Sequence, residues 1–170
     1  MDDRAIVARQ LGRPPRAFRR VVVRCPHGVP AVTEQHPFDR NGDPFPTTYY
    51  LTCRRLVTAI SRLEASGGVE RWSRAVERDP VLAASLARAT RDQQRLRHEL
   101  AAAQDEAVES EALDLGIGGS RSPGHLKCLH AHAAFALARP EYELGQAILA
   151  EVDPVWPPDR CCSEDLVRPS

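Results

Sequence analysis

The sequence Asp79-Pro80 opens the longest stretch of helical periodicity in the chain, and this stretch limits which folds can form around it. An acidic N-cap followed by proline at the first helical position is a strong helix start. Apolar residues then recur at spacings of three and four over residues 80–110. A helix of that extent would be about 45 Å long, more than a small sheet can cover alone. We therefore expect it to pack in a helical hairpin or against a protein partner, and homodimerisation through residues 80–110 is one prediction.

Short β-type segments occupy the first third of the chain, after a first helix predicted over residues 3–11. Residues 18–25 contain three consecutive valines, residues 30–33 follow a Pro-His-Gly turn, and residues 47–53 are rich in threonine and tyrosine. The sequence therefore predicts an α+β fold. Its small three-stranded antiparallel sheet lies near the N-terminus and packs against a mostly helical C-terminal two-thirds with one long helix.

Shorter helices are predicted on both sides of the long one. Two precede it, one ending at Gly67-Gly68 and one spanning residues 69–78, and a final helix is predicted over residues 141–152. Ser122-Pro123 repeats the cap-and-proline signature and predicts a further helix up to Ala138. We expect a single domain over residues 1–152, with residues 153–170 as a proline-rich tail in which Cys161-Cys162 is incidental.

The overall charge disfavours two classes of partner. The 23 basic and 23 acidic residues give a formal net charge of zero, so no general attraction to nucleic acid or to an anionic membrane is expected. Seven arginines between Arg4 and Arg24 are interpreted as a solvated arm, with RNA or an acidic partner as the alternative. No signal peptide or membrane span is evident, so we expect a cytoplasmic protein whose five cysteines stay reduced.

Two of the cysteines lie where predicted strands end. In an antiparallel meander of three strands, Cys25 and Cys53 would lie at the same edge of the sheet. A third, Cys128, lies inside the predicted helix from Ser122, where helical spacing places His125, Cys128 and His132 within a stripe about 60° wide. If that helix docks on the sheet edge, Cys25, Cys53, Cys128 and His132 could form a tetrahedral zinc site. His27 and His125 are substitutes for the histidine ligand.

The same cysteines allow other interpretations. Paired Cys-x-x-Cys motifs, the strong zinc signature, are absent, and cysteine is among the residue types most often buried in a core. Cys128 could instead be a catalytic nucleophile, because a position near a helix N-terminus favours a thiolate. A nearby histidine would then act as its base, and Arg121 would receive an anionic substrate.

A glycine-rich segment over residues 115–124 precedes the predicted helix from Ser122. Its Ser120, Arg121 and Ser122, together with Lys127 one turn further on, form a candidate anion-binding site at the helix N-terminus. The spacing does not match the phosphate-binding loop Gly-x4-Gly-Lys-Ser/Thr, and a flexible connector is the alternative. One pocket could combine this anion site with Cys128.

Several short motifs, in order, resemble an actinobacterial family known as domain of unknown function 501. The motifs are Gln10-Leu-Gly-Arg-Pro-Pro15, Arg24-Cys-Pro-His-Gly28, Pro44-Phe-Pro-Thr-Thr-Tyr-Tyr-Leu-Thr-Cys53, Arg62-Leu-Glu-Ala-Ser-Gly67 and Lys127-Cys-Leu-His130. The resemblance spans about residues 8–150 and includes Cys25, Cys53, Cys128 and His130. It gives His130 the same weight as His132. The gene neighbourhood typical of the family suggests a housekeeping or cell-envelope context, by association alone.

The leading hypothesis is an uncharacterised cytoplasmic protein with a zinc-type site that joins the sheet edge to the helix starting near residue 123. Cys25, Cys53 and Cys128 would be the thiolate ligands, with His130 or His132 as the fourth. One alternative is a cysteine-dependent enzyme that uses Cys128 on a small anionic substrate. Another is a helical interaction module linked to cell division or envelope housekeeping.

Overall fold

The N-terminal sheet has three antiparallel strands in the order β1-β2-β3, as predicted. The computed structural model describes residues 2–104, 109–156 and 158–159. Its elements, in chain order, are α1 (Asp3–Leu11), β1 (Phe18–Arg24), β2 (Pro30–Gln35), β3 (Tyr49–Leu51), α2 (Arg54–Ala65), α3 (Gly68–Arg78), α4 (Pro80–Ala103), α5 (Leu129–Ala138) and α6 (Glu143–Ala150). Two 3-10 turns, Glu111–Asp114 and Ile117–Gly119, lie between α4 and α5. The α+β prediction is confirmed.

Strand β2 is the centre of the sheet, and all six of its residues are buried. The backbone N–H of Cys25 donates to Val29 O at 2.9 Å, and that of Cys53 approaches Ala31 O at 3.4 Å. Both cysteines therefore lie at the edge of the sheet where β2 begins, as the meander predicts. Strand β3 is shorter than predicted, because Cys53 is already the N-cap of α2.

Helix α5 is the central helix of the core. Its residues from Ala131 to Ala136 are all buried, and it packs against α6, β3 and α2. Small alanine side chains let its neighbours approach closely. A Cβ placed on Gly145 of α6 would lie 2.5 Å from both Ala136 Cβ and Tyr142 Cδ1, so only glycine fits there. The helix and its neighbours therefore form a closely packed core next to the side chains at the start of α5.

Helix α4 begins at the predicted signature, with the Asp79 carboxylate accepting from the N–H of Val81 at 2.8 Å. It ends at Ala103, earlier than predicted, while Ala107 of the predicted extension lies outside the described residues. The chain returns along this helix, and the buried side chains of Gln93 and Arg97 bind the carbonyls of Leu115 and Ala112. The return segment covers one face of α4, and a partner on the exposed face stays a prediction. No helix among the described residues is both long and apolar enough to cross a membrane.

Helix α5 begins at Leu129, six residues after the predicted start at Pro123, so that prediction is wrong. Gly124 has a left-handed φ of 78°, and the Ser120 hydroxyl bonds the carbonyls of Ser122 and His125, which holds the segment in a turn. His125 and Cys128 lie before the helix. The predicted stripe of His125, Cys128 and His132 on one helical face therefore does not form.

Candidate functional site

Cys128 is the N-cap residue of α5, where the chain turns from extended backbone into the helix. Its φ is −156° and its ψ is 118°, and its side chain makes no capping hydrogen bond. The thiol is partly exposed. The thiol therefore lies at the end of the helix that presents N–H groups without helical acceptors and the positive end of the helix dipole.

His130, two residues further on, is held in a fixed orientation by α2. Its Nε2 lies 3.1 Å from Val57 O and 3.1 Å from Ser61 Oγ. Because a carbonyl can only accept, Nε2 carries a proton, and Nδ1 is the atom that faces Cys128. Nδ1 lies 3.8 Å from Cys128 Sγ.

Glu64, in the last turn of α2, completes the group. Its Oε1 lies 3.2 Å from His130 Nδ1 and accepts a hydrogen bond from the backbone N–H of Leu129 at 2.6 Å. The carboxylate thus satisfies the N–H of the first residue of α5, which has no acceptor within the helix. It also brings an acidic oxygen to the thiol and the imidazole.

Cys128 and Glu64 both stabilise a positive charge on His130. The hydrogen bond with Cys128 and the negative charge of Glu64 raise the pKa of His130 to about 9, against the opposing effect of burial. Without a metal, the imidazole is therefore positively charged at neutral pH. The group combines a sulfur, a nitrogen and an oxygen, which together form the kind of donor set that binds thiophilic divalent metals.

The distances also suit a metal ion. The ligand atoms of Glu64, Cys128 and His130 all lie within 4.8 Å of one another. Around tetrahedral zinc, typical bond lengths place sulfur and nitrogen about 3.5 Å apart and nitrogen and oxygen about 3.3 Å apart. The observed separations are 3.8 Å and 3.2 Å. These two separations therefore match zinc geometry to within a few tenths of an ångström, and the group could hold a metal ion.

A cavity of about 560 Å³ opens beside this group. Cys128 and His130 form part of its wall, together with residues of β3, α2 and the end of α1. Gln10 also lines it. Its Nε2 donates to Pro30 O at 2.7 Å, whereas no group in the described part of the chain bonds its buried Oε1. A molecule in the cavity would therefore meet Cys128, His130 and Gln10.

The structure brings two of the predicted metal ligands together with Glu64, in a group that could hold a metal ion. Cys128 and His130 lie together in that group, whereas Cys25 and Cys53 lie in the hydrophobic core and are not in the group with Glu64. His132 is also outside it, with Nδ1 at 2.7 Å from the hydroxyl of Tyr142.

Sequence reasoning missed Glu64 because acidic residues are common at helix surfaces. The available signal was its place in the Arg62-Leu-Glu-Ala-Ser-Gly67 motif, which is part of the family resemblance. No periodicity or spacing connects that motif to Cys128, which follows Glu64 by 64 residues.

The predicted anion site lies apart from the cysteine group. Ser120, Arg121 and Ser122 line a second cavity, of about 540 Å³, which shares no lining residue with the first. Lys127 is not among the residues that line it. Among the described residues, the predicted anion site and Cys128 therefore line two different cavities and not one common pocket.

The fold and the site define a small α+β protein with a cysteine–histidine–glutamate group beside a cavity. The chain belongs to the DUF501 family, described as a protein of unknown function, whose model matches residues 21–150. This match confirms the resemblance drawn from the short motifs and includes all three members of the group. Searches of curated proteins and of solved structures give no match.

Proposed function

We propose that this protein binds a thiophilic divalent metal ion, zinc first, through Cys128 Sγ, His130 Nδ1 and Glu64 Oε1. The observation that carries the proposal is the mutual approach of these three atoms within 4.8 Å. Sulfur and imidazole ligands favour zinc over magnesium or calcium, which prefer sites made wholly of oxygen atoms.

The surroundings of His130 support this proposal. Metal-bound histidines commonly donate their second N–H to a carbonyl, which fixes the ring and the tautomer. The Nε2 of His130 is placed for this by Val57 O at 3.1 Å, so Nδ1 is the atom available to a metal. Binding would displace the proton that Nδ1 carries in the metal-free protein.

Three protein ligands are characteristic of a catalytic zinc site, because the fourth position is left for water or substrate. Cys128 and His130 line the cavity of about 560 Å³, so the open position would face a space large enough for a small substrate. The chemistry that fits is metal-assisted hydrolysis or activation of a carbonyl group. Gln10 Oε1 would accept a hydrogen bond from the substrate.

Elemental analysis of protein purified without a metal-affinity tag tests the proposal. We expect about one zinc per chain, lost in Cys128→Ser and in His130→Gln, and kept in the control His27→Gln, which alters an exposed histidine outside the group. Absence of zinc from folded wild-type protein supplied with zinc would overturn the proposal.

A further variant separates the three-ligand site from the set predicted from sequence. Cys25→Ser should keep its zinc, because Cys25 is not in the group formed with Glu64. Folded Cys25→Ser without zinc would instead support Cys25 as a ligand. Circular dichroism and thermal unfolding establish that each variant is folded before its metal content is compared.

A second candidate function uses the same residues without a metal. Cys128 lies at the N-terminus of α5 with its sulfur 3.8 Å from His130 Nδ1, an arrangement that suits a nucleophilic thiolate beside a protonated imidazole. The thiolate would attack an acyl carbon and form a thioester, while His130 gives its proton to the leaving group. One thiol that reacts with iodoacetamide far faster than the others, in metal-free wild-type protein but not in Cys128→Ser, would favour this candidate.

A further inference from the structure

We propose that the second cavity, between α4 and residues 116–125, binds a small organic anion with an apolar body. The cavity has a volume of about 540 Å³ and shares no lining residue with the cavity beside Cys128. The proposal is independent of the metal site. It keeps Ser120, Arg121 and Ser122 from the predicted anion site and leaves out Lys127.

The observation that points to a ligand is an unused hydrogen-bonding atom on a buried residue of the cavity lining. His132 is only 1% exposed, yet it lines the cavity, and its Nε2 has no hydrogen-bond partner among the described residues. A buried polar atom without a partner is unfavourable, so such atoms commonly mark a bound water, ion or ligand.

The partner of the other ring nitrogen indicates which role Nε2 plays. The Tyr142 hydroxyl lies 2.7 Å from His132 Nδ1, and burial raises the pKa of that hydroxyl, which keeps it protonated. When the phenol donates to Nδ1, the ring proton is on Nε2, which is then a hydrogen-bond donor without a partner among the described residues.

The charges around the cavity favour an anion. Arg91 and Arg121 line it, and neither forms an ion pair with a carboxylate in the described ranges. Asp114 is the acidic residue of the lining, and its carboxylate is bonded to His98 Nε2 at 2.8 Å. Two guanidinium groups therefore remain to bind a phosphate or carboxylate.

The walls of the cavity are tied in place before any ligand binds. Gln94 Nε2 donates to Asp114 O at 2.7 Å, and Gly116 N donates to Ser120 O at 2.8 Å. The Ser120 hydroxyl closes the loop on His125 O at 3.1 Å. A preformed site loses less entropy on binding than one that must order first.

The rest of the lining sets the nature of the ligand body. It is formed by small and apolar side chains: Ala83, Leu86, Ala87, Ile117 and Pro123. Free phosphate would leave these groups uncovered. The matching ligand therefore carries one anionic head group on an apolar body.

Calorimetric titration of the full-length protein with phenyl phosphate tests the proposal, with phenol as the neutral control and benzoate as the carboxylate analogue. We expect saturable binding of phenyl phosphate, none of phenol, and about tenfold weaker binding in Arg91→Gln or Arg121→Gln. Arg95→Gln, which removes an equal charge one turn along α4 and outside the lining, should bind as the wild type does. Tighter binding of benzoate than of phenyl phosphate would identify the head group as a carboxylate and support the same site.

The imidazole signals of His132 distinguish binding in this cavity from binding elsewhere on the protein. In nitrogen-15 spectra of the wild-type imidazoles, the Nε2 signal of His132 should shift on titration with the anion that binds. An unshifted signal, binding equal in Arg121→Gln and Arg95→Gln, or no saturable binding of either anion would overturn the proposal.

Discussion

The carboxylate of Glu64 accepts the backbone N–H of Leu129 at 2.6 Å, so a side chain of α2 caps the first turn of α5. The same oxygen lies 3.2 Å from His130 Nδ1. One residue therefore fixes where α5 begins and supplies an acidic ligand to the candidate metal centre. Structural and chemical roles can be separated, because an amide oxygen can cap a helix but is a much weaker metal ligand than a carboxylate.

Glu64→Ala should lower the free energy of unfolding by about 1–2 kcal/mol, since it leaves the Leu129 N–H without its acceptor. Glu64→Gln should lower the free energy of unfolding by less than half as much, because its amide oxygen can still accept the Leu129 N–H. It should nevertheless weaken zinc binding about as much as Glu64→Ala does. Urea unfolding and zinc titration measure the two effects. Equal destabilisation by both variants would contradict the capping role.

His132 should make the protein sensitive to acid. Its folded-state pKa is lowered to about 3, below the ordinary value near 6.5 that it regains on unfolding. Between these values the unfolded state binds a proton on His132 that the folded state does not bind. The contribution of neutral His132 to the free energy of unfolding is therefore complete above pH 6.5 and is lost as the pH falls toward 3.

Within that pH range, His132 alone should change the free energy of unfolding by up to about 1.4 kcal/mol per pH unit. Urea unfolding between pH 5 and pH 7 should therefore show a smaller loss of stability in His132→Gln than in the wild type. His36, whose pKa burial also lowers, contributes to both proteins and cancels in the comparison. Parallel pH profiles for the two proteins would show that His132 is not held neutral by burial.

Gly145→Ala should destabilise the contact between α5 and α6 by about 1–3 kcal/mol, because the added methyl group overlaps its neighbours. The new Cβ would lie 2.5 Å from Ala136 Cβ. Ala136→Gly in the same molecule removes that overlap, although the clash with Tyr142 remains. A double-mutant cycle should therefore give a favourable coupling between the two changes, and additive effects would contradict the close packing.

Removing the metal should weaken the fold without unfolding it. The three ligands lie at the end of α2 and the start of α5, whereas the main core is formed by the sheet and the apolar faces of the helices. A free zinc concentration of 100 times the dissociation constant would raise the free energy of unfolding by about 2.7 kcal/mol. Thermal unfolding before and after dialysis against a chelator should show a lower but still cooperative transition. Loss of the transition would instead support the structural zinc site predicted from sequence.

Short sequence patterns predicted those parts of the fold that depend on residues close together along the chain. Helix α1 has its predicted range, Asp3–Leu11, and α4 begins at Asp79-Pro80 because the cap and the proline act within one turn. The meander followed from three short strands joined by turns, and it correctly placed Cys25 and Cys53 at one edge.

The start of α5 depends on contacts that the local sequence does not contain. Ser122-Pro123 has the form of a helix start, but the Ser120 hydroxyl binds the carbonyls that a helix would use. The cap that does operate comes from Glu64 in another helix. For the same reason the sequence indicated Cys128 and His130 but not the third member of their group.

Titration of the metal-free protein with cobalt(II) tests the central claim most directly, because cobalt reports both its ligands and its geometry in the visible and near-ultraviolet spectrum. We predict one equivalent bound, with a thiolate-to-metal charge-transfer band that is absent in Cys128→Ser and weakened in Glu64→Gln. Added azide should change the spectrum by occupying the open position beside the cavity. A wild-type spectrum without the thiolate band, or one identical in Cys128→Ser, would contradict a metal centre formed by Cys128, His130 and Glu64.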